Sequence, residues 1–278
     1  MLSIEDVNKL LCTNCGSKVH YKGTINSIYL GDGVLKCAKC KLIFAVQQSI
    51  PNMVLDDFLM NDKFKKWKQK LSLLPLIRKE LTDRKKNLQE ESIAKDYYEI
   101  IDFVQFKPGS VVLDIGCKDC AFGKYLDKSI IYWAIDPLVI ESQFSNYSNY
   151  KFIRANGEML PFKSEIFDYI IIKDTINYFY DLELLIQKIR VSLKKNGIFI
   201  IFSHGNYEVN NYYRKIRSFL RKIVTHLLGY LVWEDIYIQV YDKKEILKVL
   251  LNNNFSIREN EKNIQKKKLL LYCEKSKN

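Results

Sequence analysis

One stretch constrains this chain more than any other: Val111-Val112-Leu113-Asp114-Ile115-Gly116-Cys117-Lys118-Asp119-Cys120-Ala121-Phe122-Gly123. The apolar opening suits a strand covered on both faces of a parallel sheet. Gly116 suits a tight turn, and the residues after it predict the start of a helix. Asp114 then stands at the strand's carboxyl end, where open α/β sheets bind their ligands. Further apolar strands are expected at Ile131–Ile135, Tyr169–Ile172, Ile198–Phe202 and Leu269–Cys273, with a helical stripe at Leu182, Leu185, Ile186 and Ile189. Strands alternating with helices define the α/β class.

The acid narrows the ligand. A carboxylate at Asp114 opposes the pyrophosphate of a dinucleotide and suits S-adenosylmethionine, which carries an ammonium and a sulfonium but no phosphate. Leu113-Asp114-Ile115-Gly116-Cys117 resembles the first motif of class I S-adenosylmethionine-dependent methyltransferases. The family usually continues with two more glycines, and Lys118 and Cys120 stand in their places. Asp136 follows the second strand, twenty residues after Gly116. An acid there can accept both ribose hydroxyls, and the competing role is an N-cap ahead of Pro137. The run from Ala155 to Asp168, with Asn156-Gly157-Glu158-Met159-Leu160-Pro161-Phe162 inside it, closely resembles the family's pattern after its third strand. The resemblance implies a Rossmann-like seven-stranded methyltransferase sheet over residues 107–278, its last strand reversed. It also implies a cofactor site: Asp114, Gly116 and Lys118 at the methionine end, Asp136 at the ribose, Asn156 with Gly157 at the adenine. Glu158 is expected to support the loop.

The N-terminal segment reads differently. Cys12-Thr13-Asn14-Cys15 and Cys37-Ala38-Lys39-Cys40 are two CxxC knuckles. Four thiolates can close a tetrahedral structural Zn2+ site, and a hairpin between the knuckles absorbs their separation. Residues 8–55, with Ser49-Ile50-Pro51 near their end, look like the small zinc-ribbon family whose members include the shared activator subunit of tRNA, rRNA and release-factor methyltransferases. That resemblance implies a structural module over residues 1–55 that supports the catalytic domain. A helical connector is expected over 56–106, broken at Pro75 and ending in a helix through Tyr97, Ile100, Ile101 and Val104.

Two residues at strand ends are candidates for work on the methyl acceptor. Asp174 comes after the fourth strand and can take a proton from a hydroxyl or amine, or it caps the next helix. His204 comes after the fifth, and a structural role competes with an acceptor-side one. From 206 to 240 an insertion is expected to form a basic amphipathic helix, roughly 212–233, with Tyr213, Ile216, Phe219 and Leu220 on one face and Arg214, Lys215, Arg217 and Arg221 on the other. Lid, membrane-surface contact and RNA contact are the competing readings.

The net charge of +12 over 278 residues raises RNA as a partner, although a chain this rich in Lys, Asn and Ile also fits AT-rich coding. The N-terminus has neither the basic nor the apolar region of a signal peptide, and no apolar run is long enough to span a membrane. Seven cysteines without such a signal point to metal binding in a reducing, cytoplasmic compartment. The expected function is methyl transfer from S-adenosylmethionine to a small molecule or a glycan, lipid-linked included. The alternatives are an rRNA or tRNA acceptor, and a non-catalytic scaffold suggested by the missing glycines.

Overall fold

A computed structural model describes residues 1–55, 89–137, 150–204, 223, 241–260 and 268–276. The connector helix expected around Trp67 and, Ile223 excepted, the basic segment of the insertion lie outside the described residues.

The chain opens with a single helical turn, α1 (Ile4–Val7). Four strands come next: β1 (Val19–Asn26), β2 (Tyr29–Cys37), β3 (Ile43–Gln47) and β4 (Ile50–Pro51), joined in that order into an antiparallel sheet. After the helix α2 (Gln89–Val104) come β5 (Val111–Ile115), β6 (Ile131–Ile135), β7 (Lys151–Ile153), β8 (Phe167–Lys173), α3 (Leu182–Ser192), β9 (Leu193–His204), α4 (Lys243–Asn252), β10 (Phe255–Glu259) and β11 (Lys268–Lys275). These seven strands form one sheet in the order β10-β11-β9-β8-β5-β6-β7. Strands β7, β6, β5, β8 and β9 run parallel, β11 runs antiparallel to β9, and β10 antiparallel to β11. The order reverses at β5, so the carboxyl ends of β5 and β8 frame the crevice where such sheets bind ligands.

Helices cover both faces because the strand residues are apolar on both. Tyr97, Ile100 and Val104 of α2 pack with Val112, Tyr132, Tyr169, Phe202 and Leu270. Leu185, Ile186 and Ile189 of α3, with Ile246 and Leu250 of α4, pack with Leu113, Ile115, Ile170, Phe199 and Ile201 on the other side. Asp181 caps α3 through Leu184 N, and Asp242 with Glu245 forms a capping box on α4.

Two local expectations are corrected. The element after the Asp114 strand is a 3-10 turn at Ala121–Tyr125 rather than an α-helix. It has no side-chain cap, and its N-cap Cys120 is left-handed at φ 56°. The strand expected at Ile198–Phe202 starts earlier, and residues 193–197 already belong to β9. Leu193 pairs with Phe167, the register then slips, and Asn196 is left-handed at φ 60°.

The N-terminal sheet is packed into the large one rather than tethered to it. Leu2, Leu10, Leu35, Phe44 and Met53 share one buried cluster with Ile153, Met159 and Phe162. At the end of β4 the chain touches the large sheet just past β7: Arg154 N donates to Pro51 O at 2.9 Å, and Met53 N donates to Arg154 O at 2.8 Å. This is a single parallel bridge, Asn52 with Arg154, at the carboxyl end of the edge strand β7. Leu11 N also donates to Pro161 O at 2.8 Å. A buried ion pair fastens the junction. Asp6, 1% exposed, accepts from Lys151 Nζ at 2.8 Å and from Lys9 Nζ at 2.9 Å.

Candidate cofactor and acceptor site

The site is built from the loops after β5, β6, β7, β8 and β9. Gly116 turns the chain at φ +75°, and a Cβ there would lie 2.5 Å from Thr175 Cγ2. Only glycine meets both demands. The two positions where the family has glycines, Lys118 and Cys120, are also left-handed, at φ 55° and 56°. Such backbone costs a non-glycine residue about 1–2 kcal/mol. The turn therefore keeps a glycine-like path without glycine. Asp174, at the acceptor edge, is left-handed too at φ 57°. Backbone strain of this kind persists where surrounding structure enforces it, often at functional sites.

Asp114 is buried and accepts from Tyr132 Oη at 2.5 Å. Burial pushes its carboxyl up to about 7, against the opposing Tyr132 hydrogen bond and with the nearby Asp136 charge adding to the rise. A cation brought alongside would stabilise the ionised form. Asp136 is 5% exposed, and its Oδ2 accepts from Lys118 N at 3.0 Å. The turn and the second acid are thus linked directly. The competing N-cap role of Asp136 concerns residues from 138 on, which lie outside the described ones.

The loop after β7 carries Asn156 and Gly157, the pair expected on the adenine side. Asn156 is 2% exposed, and neither its Oδ1 nor its Nδ2 has a hydrogen-bond partner. A buried amide left this way costs a few kcal/mol unless a ligand completes it. Gly157 leaves no room for a side chain, since a Cβ would lie 2.6 Å from Phe179 Cε1 and 3.1 Å from Ile115 Cγ2. Glu158 does support the loop: its Oε1 accepts from Tyr180 N at 2.8 Å, and burial pushes its carboxyl up to about 7. These groups fit S-adenosylmethionine: an unpaired amide for the adenine edge, and two buried acids, Asp114 and Asp136, at the ends of β5 and β6.

Asp174 and His204, the residues expected on the acceptor side, meet at the ends of β8 and β9, together with Asp96, Lys173 and Lys268. His204 Nδ1 lies 3.0 Å from Asp174 Oδ1, and His204 Nε2 lies 3.3 Å from Asp96 Oδ2. Lys173 Nζ is 2.8 Å from Asp174, and Lys268 Nζ is 2.7 Å from Asp96. The hydrogen bonds that its ring donates to Asp174 and Asp96 raise the His204 imidazolium to about 9. Burial opposes ionisation of Asp174, but the His204 hydrogen bond and the Lys173 charge outweigh it, holding that carboxyl well below its usual range. Asp174 accepts from His204 N at 2.8 Å and caps no helix; the short 3-10 turn beyond it, Ile176–Tyr178, has Thr175 as its N-cap. At neutral pH, His204 is thus a cation held by two carboxylates. Asp96 was detectable as an acid four residues before Ile100, on the buried stripe of α2.

Away from this site, Cys12, Cys15, Cys37 and Cys40 gather with all four sulfurs within 4.8 Å of one another. Cys12 and Cys40 sulfurs are 3.6 Å apart, and Cys15 and Cys37 sulfurs 3.4 Å. Tetrahedral zinc with bonds of about 2.3 Å needs sulfurs about 3.8 Å apart, so the cluster could bind zinc. The residues after each knuckle, Gly16 and Lys41, are left-handed at φ 69° and 64° and turn the chain back around the sulfurs.

The seven-stranded, mostly parallel sheet is that of Rossmann-like methyltransferases, and residues 138–268 match a family profile described as a methyltransferase domain. Among curated relatives, the chain is 29% identical over 94 residues to the human mitochondrial arginine-hydroxylase NDUFAF5, covering 32% of this chain and 27% of that one. It is 26% identical over 165 residues to protein MJ1252 of Methanocaldococcus jannaschii, covering 55% of this chain and 64% of that one. In both cases it spans less than two thirds of the relative. Among solved structures, YcgJ of Bacillus subtilis superposes with a TM-score of 0.55 at 14% identity, covering 66% of this chain and 100% of that one. The geranyl diphosphate C-methyltransferase of Streptomyces coelicolor, solved with Mg2+, geranyl diphosphate and S-adenosyl-L-homocysteine, gives 0.51 at 12% identity, covering 66% and 79%. At such identities the likeness is one of fold.

Proposed function

We propose that this chain transfers the methyl group of S-adenosylmethionine to a small molecule or to a glycan, lipid-linked glycans included, and that Zn2+ holds the N-terminal module. The observation that carries the cofactor part is the buried amide of Asn156, with both polar atoms unpaired. In this reading Asp114, Gly116 and Lys118 hold the methionine end, Asp136 the ribose, and Asn156 with Gly157 the adenine. The bound cofactor supplies an electrophilic methyl on a sulfonium, and the chain's part is to fix the acceptor in line with it, which accounts for much of the rate in such transfers. Asp174 and His204 are proposed to orient the acceptor rather than to strip its proton. Both are engaged by opposite charges, and His204 is already protonated at neutral pH.

The acceptor edge supports a compact polar substrate. Asp96 and Asp174 interleave with Lys173, His204 and Lys268, a mixed-charge surface suited to hydroxyl or amine groups rather than to a run of phosphates. Replacing Asp136 by Ala should weaken S-adenosylhomocysteine binding by about 1–3 kcal/mol through lost charged hydrogen bonds. Unchanged affinity in that variant would refute the assignment.

One observation favours an rRNA or tRNA acceptor as the second reading. On the outer face of the N-terminal sheet, His20 and Lys22 on β1 adjoin Lys36 on β2, all exposed. RNA binding that falls steeply with salt, and falls again in a Lys22→Ala, Lys36→Ala double variant, would move the acceptor to that class.

A further inference from the structure

A third CxxC pair, Cys117-Lys118-Asp119-Cys120, lies inside the cofactor turn, and neither cofactor binding nor methyl transfer gives its sulfurs a task. The two sulfurs are 3.3 Å apart, with Cys117 7% and Cys120 0% exposed. Cys120 N donates to Cys117 O at 2.9 Å, closing a four-residue turn. Turns of this kind bring their end Cα atoms within about 7 Å, and a disulfide needs Cα atoms roughly 4.4–6.8 Å apart. An S–S bond of about 2.05 Å asks the sulfurs to close by only about 1.2 Å.

The same turn is wired to the cofactor residues. Gly116 N and Cys117 N both donate to Ile135 O, at 2.8 and 3.3 Å, just before Asp136. Lys118, between the two cysteines, donates its N–H to Asp136 Oδ2. Drawing Cys120 onto Cys117 must re-shape a backbone already left-handed at Lys118 and Cys120. The amide that faces Asp136 moves with it.

We propose that Cys117 and Cys120 form a hydroperoxide-sensitive dithiol whose closure to a disulfide weakens cofactor binding, an inference that rests on the proposed cofactor site. One sulfur attacks the terminal oxygen of the hydroperoxide. The O–O bond breaks, the alcohol leaves with the proton of that thiol, and a sulfenic acid remains. The second sulfur attacks it, the S–S bond forms, and the departing hydroxide takes the second thiol's proton as water. Two thiols and one hydroperoxide thus give one disulfide, one alcohol and one water. Burial keeps the thiols protonated while the turn is closed, and thiolate is the reactive form. Oxidation therefore proceeds from an opened turn. Ligand binding that keeps the turn shut slows oxidation, and by linkage oxidation weakens that binding.

The test uses the full chain, zinc-loaded and reduced, with hydrogen peroxide as oxidant. Peptide mass spectrometry maps disulfides, and calorimetry reads S-adenosylhomocysteine affinity before oxidation, after it, and after dithiothreitol. The expected result is a 117–120 disulfide, an affinity loss within the roughly 5- to 150-fold range of coupled sites, recovery on reduction, and slower disulfide formation under saturating S-adenosylhomocysteine. Whatever their own affinities, Cys117→Ser and Cys120→Ala should show none of the peroxide-dependent change. A 117–120 disulfide that leaves affinity unaltered overturns the proposal, as does the absence of that disulfide. Loss that persists in both variants overturns it too, and assigns the effect to the cysteines of the N-terminal module. If reduced protein does not bind at all, the cofactor reading falls and the gating with it; the disulfide map distinguishes that case from a pair that never closes.

Discussion

Replacing Asp114 by Asn should stabilise the protein at alkaline pH while weakening its hold on a cationic cofactor. Asp114 is buried, and its carboxyl is raised from 3.8 to about 7, chiefly by burial. An acid with a raised folded pKa binds its proton more tightly in the native state, so native stability falls as pH rises between about 3.8 and 7 and stays reduced above that. A rise of about three units corresponds to about 4 kcal/mol once the group is ionised. Asn keeps an acceptor for the Tyr132 hydroxyl but buries an NH2 group, which costs about 1–3 kcal/mol where it finds no partner. The net expectation is a gain of about 1–3 kcal/mol at pH 8 that shrinks or reverses at pH 4. Urea unfolding of both proteins at pH 4, 6 and 8 reads this directly. A variant less stable than the parent at pH 8, or a difference that does not change with pH, would refute the reasoning. The same substitution should reduce S-adenosylmethionine affinity, because it removes the carboxylate proposed to face the cofactor's positive charge.

Other parts of the molecule carry three more predictions. Asp6→Ala leaves Lys151 and Lys9 without their buried partner and removes half of the capping box on α1, so urea unfolding should show a loss of about 2–3 kcal/mol; a loss below about 0.5 kcal/mol, as typical of surface changes, would count against the junction. Chelating the metal from the four-cysteine cluster, or replacing Cys37 by Ser, should lower the melting temperature and expose Leu11 and Met53 amides to hydrogen exchange, whereas an unchanged melt would dismiss a structural metal. His204 should titrate near 9 by NMR, and Asp174→Asn should bring it down toward its ordinary value. Its folded pKa lies above the unfolded 6.5, so its stabilising share is complete below 6.5 and fades as pH rises through about 9. A His204 that titrates near 6.5 in the parent protein would break the acceptor-edge network.

The sequence carries the sheet because its signals are local. Val111–Ile115, Ile131–Ile135 and Phe167–Lys173 are apolar on both faces, and the positions of Asp114, Asp136 and Asn156 relative to them follow from strand ends. The knuckles are equally local, two pairs of cysteines at fixed spacing. The docking of the N-terminal module onto β7 is not legible: it depends on backbone pairing between Pro51–Met53 and Arg154, and such pairing leaves no side-chain pattern. The acceptor edge is half legible. Asp174 and His204 stand at strand ends, but Asp96 and Lys268 reach them from elements far away in sequence. The 3-10 turn after Cys120 escapes pattern reading because the helical pattern of Ala121–Tyr125 gives no sign of the left-handed Cys120 ahead of it. That same left-handed backbone at Lys118 and Cys120 argues against the scaffold alternative. The chain maintains a costly glycine-like turn where the cofactor is expected.

An acid-bearing turn beside the open amide of Asn156 suits S-adenosylmethionine rather than a dinucleotide. The most direct test is calorimetric titration of the zinc-loaded chain with S-adenosylmethionine, S-adenosylhomocysteine and NAD, repeated with Asn156→Ala. Micromolar binding of the first two, no binding of NAD and a loss of about 1–3 kcal/mol in the variant are expected. Binding of NAD alone, or affinity for S-adenosylhomocysteine that ignores Asn156, would contradict it.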